Sequence, residues 1–292
     1  MSKYTIANYS AAVLALALAL ALPALAAERS RIIATGGVST IEGTAGGGIV
    51  PMALLSGYGA REESGGAAFA SMAQTPDYEL SVLGASWSWR NRVELSVADQ
   101  TLQHDTLSAA LGVSDTSIRQ SVVGLKVRLA GDILYTAMPQ VSASVQYKKN
   151  HDFFIPAAAG AIADSDTDYN ITATKVLLGG FFGYNLLLNG NARYTRANQG
   201  GLVGFGGDLN RSREWQAELS AGVFYNTHLL AGVEYREKPD NLSFAREDDW
   251  QTAFIAWFPN KHISAVAAWV DLGEVATLPD QDGWYVSLQG SF

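Results

Sequence analysis

The chain has 292 residues, and its composition argues against several classes of protein. It carries 20 Lys and Arg against 28 Asp and Glu, so its formal net charge of −8 offers no basic surface for a nucleic acid. Without Cys, it has no disulfide, thiolate nucleophile or Cys zinc site. Charged residues make up 16% of the chain, below the ~25% of ordinary soluble domains.

The first 26 residues have the form of a secretory signal peptide. Lys3 is the only charge before an uninterrupted apolar stretch at 11–22, and Ala24-Leu25-Ala26 matches an A-x-A cleavage site. That stretch is too short to cross ~30 Å of hydrocarbon as a helix. We therefore predict a cleaved signal at 1–26. The mature chain has no apolar run of 18 residues, so any membrane crossing must be made by strands.

Alternation of apolar and polar residues dominates the mature chain. From Val141 to Lys148, apolar Val, Ala, Val and Tyr alternate with Ser, Ser, Gln and Lys, and a similar period of two recurs at 184–195, 214–225 and 229–236. This period is typical of extended strands with one apolar face. We predict twelve strands, at 47–58, 78–87, 91–98, 118–129, 140–148, 169–178, 184–195, 214–225, 228–236, 250–258, 262–271 and 283–292.

The connections between these strands alternate between short and long. The short ones lie at 88–90, 179–183, 226–227 and 259–261, and the long ones at 59–77, 99–117, 149–168, 196–213, 237–249 and 272–282. The connection 130–139 is longer than the alternation requires. Short turns at one end and long loops at the other are typical of outer-membrane barrels. The predicted fold is all-β: a membrane-spanning antiparallel β-barrel of about twelve strands, with short periplasmic turns and long extracellular loops.

Aromatic residues fall at the strand ends, where two girdles would meet the membrane interfaces. Those predicted beside the long loops are Tyr78, Tyr147, Tyr169, Tyr194, Trp215, Tyr235, Trp250, Trp269 and Trp284; those beside the turns are Trp87, Tyr184, Tyr225 and Phe258. The last strand ends the chain on Phe292. It resembles the terminal assembly signal of bacterial outer-membrane proteins, although Gly290 stands where that family often has a larger residue.

A glycine-rich segment opens the mature chain, with Gly36-Gly37, Gly46-Gly47-Gly48 and Gly57-Tyr58-Gly59 as its landmarks. It resembles the opening of the domain of unknown function 3034 family, a resemblance that implies a barrel and no established activity. No Lys-Ser or Lys-Thr follows the glycines, which argues against a nucleotide loop. We divide the mature chain into a glycine-rich segment at 27–46, periplasmic or plugging the lumen, and a barrel at 47–292. The segment could instead form a bulged first strand.

No residue pattern points to catalysis, a cofactor or a metal. The four His, at 104, 151, 228 and 262, are predicted to be polar strand-end or loop residues. We find no Gly-x-Ser-x-Gly elbow, and no Ser–His pair on a lipid-facing strand, as a barrel-embedded lipid hydrolase requires. Acidic clusters at Asp164, Asp166 and Asp168 and at 247–249 lack EF-hand spacing and are predicted to be solvated loop charges.

The strand phase places charged side chains on the inner face of the barrel. The predicted lumen-lining residues are Arg92, Glu94, Lys126, Arg128, Lys148, Arg193, Glu214, Glu218, Glu234 and Arg236, basic mainly in the earlier half and acidic mainly in the later half. Opposed charges could line a narrow wet channel, or they could form a packed ion-pair network that closes the barrel.

These observations predict an outer-membrane, porin-like barrel for passive diffusion of small hydrophilic solutes, with no cofactor. A closed structural or surface-interaction barrel is the alternative, and a barrel-embedded lipid hydrolase is the third. The expected partners are outer-membrane lipid, periplasmic chaperones, the barrel-insertion machinery and a small polar solute. Phe292 is the predicted assembly signal.

Overall fold

A computed structural model describes residues 31–104 and 117–292, so the predicted signal at 1–26 lies outside the described residues. Its principal element is a closed antiparallel barrel of twelve strands, in which each strand pairs with its neighbours in sequence and the last pairs with the first. The barrel strands are β3 (Ser64–Gln74), β4 (Glu79–Trp89), β5 (Val93–Gln103), β6 (Ser117–Ala130), β7 (Gln140–Asn150), β8 (Ser165–Phe181), β9 (Tyr184–Thr195), β10 (Glu214–Asn226), β11 (Leu229–Arg236), β12 (Trp250–Trp257), β13 (Ile263–Asp271) and β14 (Asp282–Ser291).

Three shorter kinds of element complete the described structure. Two-residue strands β1 (Val38–Ser39) and β2 (Ala45–Gly46) pair with each other inside the barrel. A helix, α1 (Phe154–Ala158), lies in the connection between β7 and β8, and a 3₁₀ segment (Asn198–Gly201) follows β9. No helix among the described residues is long and apolar enough to cross a membrane.

Burial alternates along the barrel strands as the sequence predicts. On β12, for example, the side chains of Gln251, Ala253, Ile255 and Trp257 are exposed, while those between them are buried. In a membrane-spanning barrel the exposed face of the strands contacts lipid, where apolar side chains are favoured. The fold class predicted from the sequence is confirmed.

The two ends of the barrel differ in their connections. The turn end carries the connections β4–β5, β6–β7, β8–β9, β10–β11 and β12–β13, and also the chain terminus at Phe292. The loop end carries the longer connections, among them 151–164, 196–213 and 237–249. One loop-end connection is short, because β3 and β4 are joined by residues 75–78 alone.

The first barrel strand is not where the sequence predicts it. Residues 47–58 do not join the barrel, and β3 instead occupies the region predicted as a long loop at 59–77. The reason is compositional: β3 reads SGGAAFASMAQ, so both of its faces carry small residues and the alternation disappears. The apolar residues at 49–55 mimic a strand because they are buried inside the barrel.

The aromatic girdles are present, with three exceptions. Of the predicted residues, Trp87, Tyr184 and Tyr225 are exposed at the turn end, and Tyr147, Tyr169, Trp215, Trp269 and Trp284 at the loop end, while Tyr194 and Tyr235 are partly exposed. Trp257, which was not predicted, is also exposed at the turn end. The exceptions are Tyr78, Trp250 and Phe258, which are buried. Their side chains point into the barrel. An alternating pattern assigns a side chain to the inner or the outer face correctly only if the phase of the strand is correct.

Candidate functional site: the plugged lumen

The barrel lumen is filled by the chain's own N-terminal segment. Every residue from 36 to 59 is buried, and we call these residues the plug. The plug is built on a hairpin in which Val38 pairs with Gly46 and Ser39 with Ala45. Glycine is required where the plug meets the wall: Gly57 has a φ of 73°, and a Cβ there would lie 2.2 Å from the backbone nitrogen of Gly66 on β3. This glycine therefore lets the plug backbone approach the barrel wall closely.

Both ends of the plug lie at the turn end of the barrel. Arg31, just before the plug, donates to the carbonyls of Leu55 and Gly57, at 3.2 and 3.1 Å. The Tyr58 N–H donates to the carbonyl of Phe292, the last residue of the chain, at 3.1 Å. The plug is therefore a loop inserted from one end, not a strand threaded through the barrel.

The deepest part of the plug carries one carboxylate, Glu42, into a cluster of wall charges. Its oxygens lie 2.7 Å from Nζ of Lys148, 2.9 Å from a guanidinium nitrogen of Arg193 and 2.8 Å from one of Arg236. The wall residues Asp168 and Glu218 complete the cluster: Lys148 lies 2.7 Å from Asp168, and Arg193 lies 2.6 Å from Glu218. All of these side chains are almost fully buried.

The cluster is neutral only because of the plug. The wall contributes three cations and two anions, 3 − 2 = +1, and Glu42 brings the sum to zero. Buried charges are tolerated when they are paired, so the wall retains one excess buried cation unless Glu42 is in place.

Other wall charges bind plug backbone instead of forming an open lining. Lys126 donates to the carbonyls of Ala45, Met52 and Leu54 at 2.8, 2.8 and 3.0 Å. Glu94 accepts from the Ser56 N–H at 2.7 Å. Together with Glu234, which accepts from the Ile49 N–H at 3.0 Å, these residues fix the plug along its length.

The loop end closes on the same cluster. The connection after β9 folds inwards, and Nζ of Lys148 donates to the Gly200 carbonyl at 3.0 Å while it pairs with Glu42. Asn150 donates to the Leu202 carbonyl at 2.8 Å. Lys148 thus joins the plug to the loop that covers it, and the lumen is closed from both ends in this conformation.

The ten predicted lumen residues separate into two groups. Seven are buried inside the barrel: Glu94, Lys126, Lys148, Arg193, Glu218, Glu234 and Arg236. The other three lie at the rims: Arg92 is exposed in the β4–β5 turn, Arg128 bonds the Gly131 carbonyl at the turn end, and Glu214 is exposed at the start of β10. Period two gives the face of a strand but not the depth, which is why these three differ.

Most of the acidic residues predicted to be solvated loop charges form ion pairs or hydrogen bonds instead. Asp166 and Asp168 lie on β8, where Asp166 pairs with Arg196 and Arg213 and Asp168 joins the Glu42 cluster. Glu247 is buried against Lys238, with 3.2 Å between their charged atoms. The prediction was wrong for these residues because β8 begins earlier than expected and because the loops fold into the barrel mouth.

The structure also contains a Ser–His contact that sequence reasoning missed. Oγ of Ser121 lies 2.9 Å from Nε2 of His151 and 2.6 Å from Oδ1 of Asp99, on the outer face of β5 to β7. A serine hydroxyl has one hydrogen, and here it goes to the Asp99 carboxylate. The His151 nitrogen must then donate to Ser121, so it is not placed to act as the general base.

Comparison with known proteins places the chain in a family. The family model described as "Protein of unknown function (DUF3034)" matches residues 35–289, which include the plug and nearly the whole barrel. The chain belongs to this family. No curated protein matches the chain.

Several solved structures resemble the barrel. The KdgM porin is 9% identical, with a TM-score of 0.49 over 77% of this chain and 99% of that one. The NanC porin is 9% identical, with a TM-score of 0.47 over 78% and 98%. The COG4313 outer membrane channel from Pseudomonas putida F1 is 11% identical, with a TM-score of 0.44 over 78% and 94%. With TM-scores below 0.5, these likenesses add nothing to the fold assignment, which rests on the closed strand order.

The sequence analysis assigns no function to Glu42, the central residue of the site, although one feature of the sequence points to it. It is the only charged residue between Arg31 and Arg61. A lone carboxylate in a glycine-rich apolar segment is costly to bury unless cations receive it. That pattern, set beside the unbalanced basic wall, would have indicated a plug docked by charge in this member of the DUF3034 family.

Proposed function

We propose that the protein is a porin-like outer-membrane channel for small hydrophilic solutes, closed by the plug in the conformation described. The observation that carries this proposal is the entry and exit of the plug at the same end of the barrel. A segment inserted in this way can withdraw without being unthreaded. Since short turns face the periplasm in outer-membrane barrels, the plug would withdraw to the periplasmic side.

The lumen wall behind the plug supports a hydrophilic path. The inner face carries amides and hydroxyls among its charges, including Gln100, Gln146, Asn170, Thr172 and Asn191. Several of them bond each other across neighbouring strands, as Thr172 does with Asn191 at 2.7 Å. Such a wall would be wetted once the plug left, and hydrated polar solutes are what it would admit.

The route to the membrane follows from the same proposal. Residues 1–26 would direct export and be cleaved, periplasmic chaperones would carry the unfolded chain, and the insertion machinery would read the strand ending at Phe292. The outward faces of the strands would then contact outer-membrane lipid. We propose no catalytic role, because the Ser121–His151 contact has the wrong proton direction for a lipid hydrolase.

A closed structural barrel is the second candidate, favoured by the density of bonds between plug and wall. Lys126 alone makes three hydrogen bonds to plug carbonyls, and Glu42 contacts three cations. The two candidates differ in whether the plug ever leaves.

Planar-bilayer conductance of wild type and Glu42→Gln separates them. Removing the carboxylate leaves three wall cations against two anions, and breaking a buried pair costs about 3–5 kcal/mol. The plugged state should be destabilised, and the frequency of open events should rise by at least tenfold. Glu62→Gln, at an exposed carboxylate, is the matched control and should behave as wild type. Silence of both wild type and Glu42→Gln, with the barrel folded, would leave the structural barrel as the better account.

A further inference from the structure

A cleft at the turn end of the barrel concentrates basic residues in this acidic chain. It has a volume of about 650 Å³ and lies between the residues that precede β3, the β4–β5 turn and the end of β6. Four of the 20 Lys and Arg residues line it, and we call it the arginine cleft: Arg61, Arg90, Arg92 and Arg128. Within the described part of the chain, Glu62 is the only carboxylate in the lining, so the lining carries 4 − 1 = +3.

Neighbouring carboxylates do not neutralise the arginine cleft. Glu62 approaches Arg90 only to 4.0 Å, and both side chains are more than half exposed. Asp132 lies 3.4 Å from Arg128, and the other two arginines form no ion pair with a carboxylate among the described residues. Counting Asp132 and Glu63, which lie next to lining residues in sequence, still leaves 4 − 3 = +1. The cleft therefore has room and charge for an anion.

The guanidinium groups of the cleft keep donors for such an anion. Arg92 donates to the Arg128 carbonyl at 3.4 Å, and Arg128 donates to the Gly131 carbonyl at 2.6 Å. Each guanidinium has five N–H donors, so these bonds position the two groups and leave most of their donors unused. Arg61 and Arg90 are exposed at the same cleft. Arginine binds phosphate through paired N–H bonds, so a phosphate group is the anion that this arrangement suits.

The β4–β5 turn holds one of these arginines at a conformational cost. Arg90 and Asn91 have φ angles of 53° and 48°, in the left-handed region of a two-residue hairpin turn. Gly, Asn and Asp are preferred at such positions, so the turn itself does not explain an arginine. The Arg90 guanidinium lies 4.7 Å from the centre of the Trp89 ring. Residues held in this region of the backbone map are frequent at ligand sites.

The arginine cleft lies at the level of the membrane surface. Trp89 lines the cleft and is also exposed on the outer face of β4, as is Trp87. Exposed tryptophans of membrane proteins collect at the level of the lipid headgroups. Leu95 on β5 and Leu129 on β6 are exposed beside the cleft and give an apolar surface next to it. A ligand with a phosphate and apolar chains matches both surfaces.

We propose that the arginine cleft binds the phosphate of an anionic phospholipid in the periplasmic leaflet of the outer membrane. The phosphate oxygens would accept N–H bonds from the guanidinium groups, and the acyl chains would lie against Leu95 and Leu129. The lipid's negative charge would offset the surplus of positive charge in the cleft. This site goes beyond the proposed channel, because lipid binding there needs neither a pore nor movement of the plug.

The test is native mass spectrometry of the full mature barrel in detergent, titrated with dioleoylphosphatidylglycerol, dioleoylphosphatidylcholine or soluble glycerol 3-phosphate. Wild type should bind the first phosphatidylglycerol several-fold more tightly than phosphatidylcholine, and glycerol 3-phosphate, which has no acyl chains, much more weakly. Arg61→Gln with Arg92→Gln removes two guanidinium groups and breaks no ion pair with a described carboxylate. Phosphatidylglycerol affinity should fall about tenfold or more in this double variant, because hydrogen bonds to a charged group are lost.

Arg211→Gln with Arg246→Gln is the matched control, since it removes the same charge from two exposed arginines at the loop end and should bind as wild type. Heat-modifiable migration would show that each variant is folded. Arg61→Gln alone, at an exposed position outside the strands, should give a smaller loss and serves if the double variant does not fold. Equal affinity of wild type for the two lipids, equal losses in the two double variants, unchanged affinity in the folded cleft variants, or glycerol 3-phosphate binding as tightly as phosphatidylglycerol would each overturn the proposal.

Discussion

At the scale of single residues, one carboxylate stabilises the β6–β7 connection at the turn end. Asp132 lies in the β6–β7 connection; burial opposes its ionisation, but the N–H groups of Tyr135 and Leu134 and the Arg128 guanidinium outweigh this and hold its pKa below the usual value. The two N–H bonds are 2.9 Å long, and the distance to Arg128 is 3.4 Å. A carboxyl group with a lowered pKa stabilises the fold above its unfolded pKa and loses that contribution as acid protonates it.

The first prediction concerns this connection in acid. Between pH 5 and pH 3, amide hydrogen exchange in residues 131–139, corrected for intrinsic rates, should show loss of protection. Asp132→Asn should remove this pH dependence, because the variant has no carboxyl group to titrate. Unchanged protection in wild type at pH 3 would mean that Asp132 does not hold the connection.

The Glu42 cluster shows where residue-level prediction from sequence ends. The charged wall residues could be read from strand phase, because lipid outside and polar contacts inside impose period two on every strand. Their partners could not, since Glu42 comes from a segment with no strand period and meets Arg236 across 194 positions in sequence.

At the scale of elements, eleven of the twelve predicted strands match observed strands, with most of their ends within a few residues. The exception is the first strand, predicted at 47–58 and observed at Ser64–Gln74. A strand rich in Ala and Gly, such as β3, can be recognised only from its partners, β14 and β4. From the sequence alone, the glycine-rich segment can form either a plug in the lumen or a bulged first strand. Deciding between them requires knowing that β14 pairs with Ala67–Gln74 and not with residues 47–58.

The second prediction tests the lipid-facing side of β10. Leu219 is 55% exposed on that strand, and an Arg at mid-depth in the bilayer costs about 2–4 kcal/mol. Leu219→Arg should therefore lower the folded fraction in urea titrations in lipid vesicles. Leu209→Arg, at a loop position that is 60% exposed, should have little effect. Equal losses in the two variants would contradict the membrane depth assigned to β10.

The third prediction concerns the barrel seam. Phe292 exchanges hydrogen bonds with Gly66 at 2.9 and 3.0 Å and accepts from Tyr58, so it joins β3, the chain terminus and the plug. Phe292→Asp should reduce the heat-modifiable folded band in outer membranes several-fold, because it replaces the Phe292 ring that lies against Gly66 with a carboxylate, at a seam that must close to leave no open edge in lipid. Phe182→Asp, in an exposed turn, is the control. An undiminished folded band in Phe292→Asp would argue against the assembly role.

At the scale of the whole molecule, the barrel and its plug form one electrostatic unit. The wall alone presents an unbalanced buried cluster, and the plug supplies the missing carboxylate and the backbone groups that Lys126, Glu94 and Glu234 require. Withdrawal of the plug would expose these groups to water, which solvates them. A closed dry state and an open wet state are therefore both physically acceptable, and this is the basis of the proposed gated channel.

The central claim is that current flows only when the plug leaves the lumen. The plug can be locked to the wall through a pair of introduced cysteines, Ala53→Cys and Ser142→Cys, at positions joined by a 2.7 Å hydrogen bond. A short reducible thiol reagent would cross-link them, and no other thiol competes because the chain has no Cys of its own. The measurement is single-channel conductance in planar bilayers before and after reduction. The account predicts silence while the plug is locked and discrete openings after reduction, with both single-Cys variants behaving as wild type. Equal conductance in the locked and reduced states would contradict it.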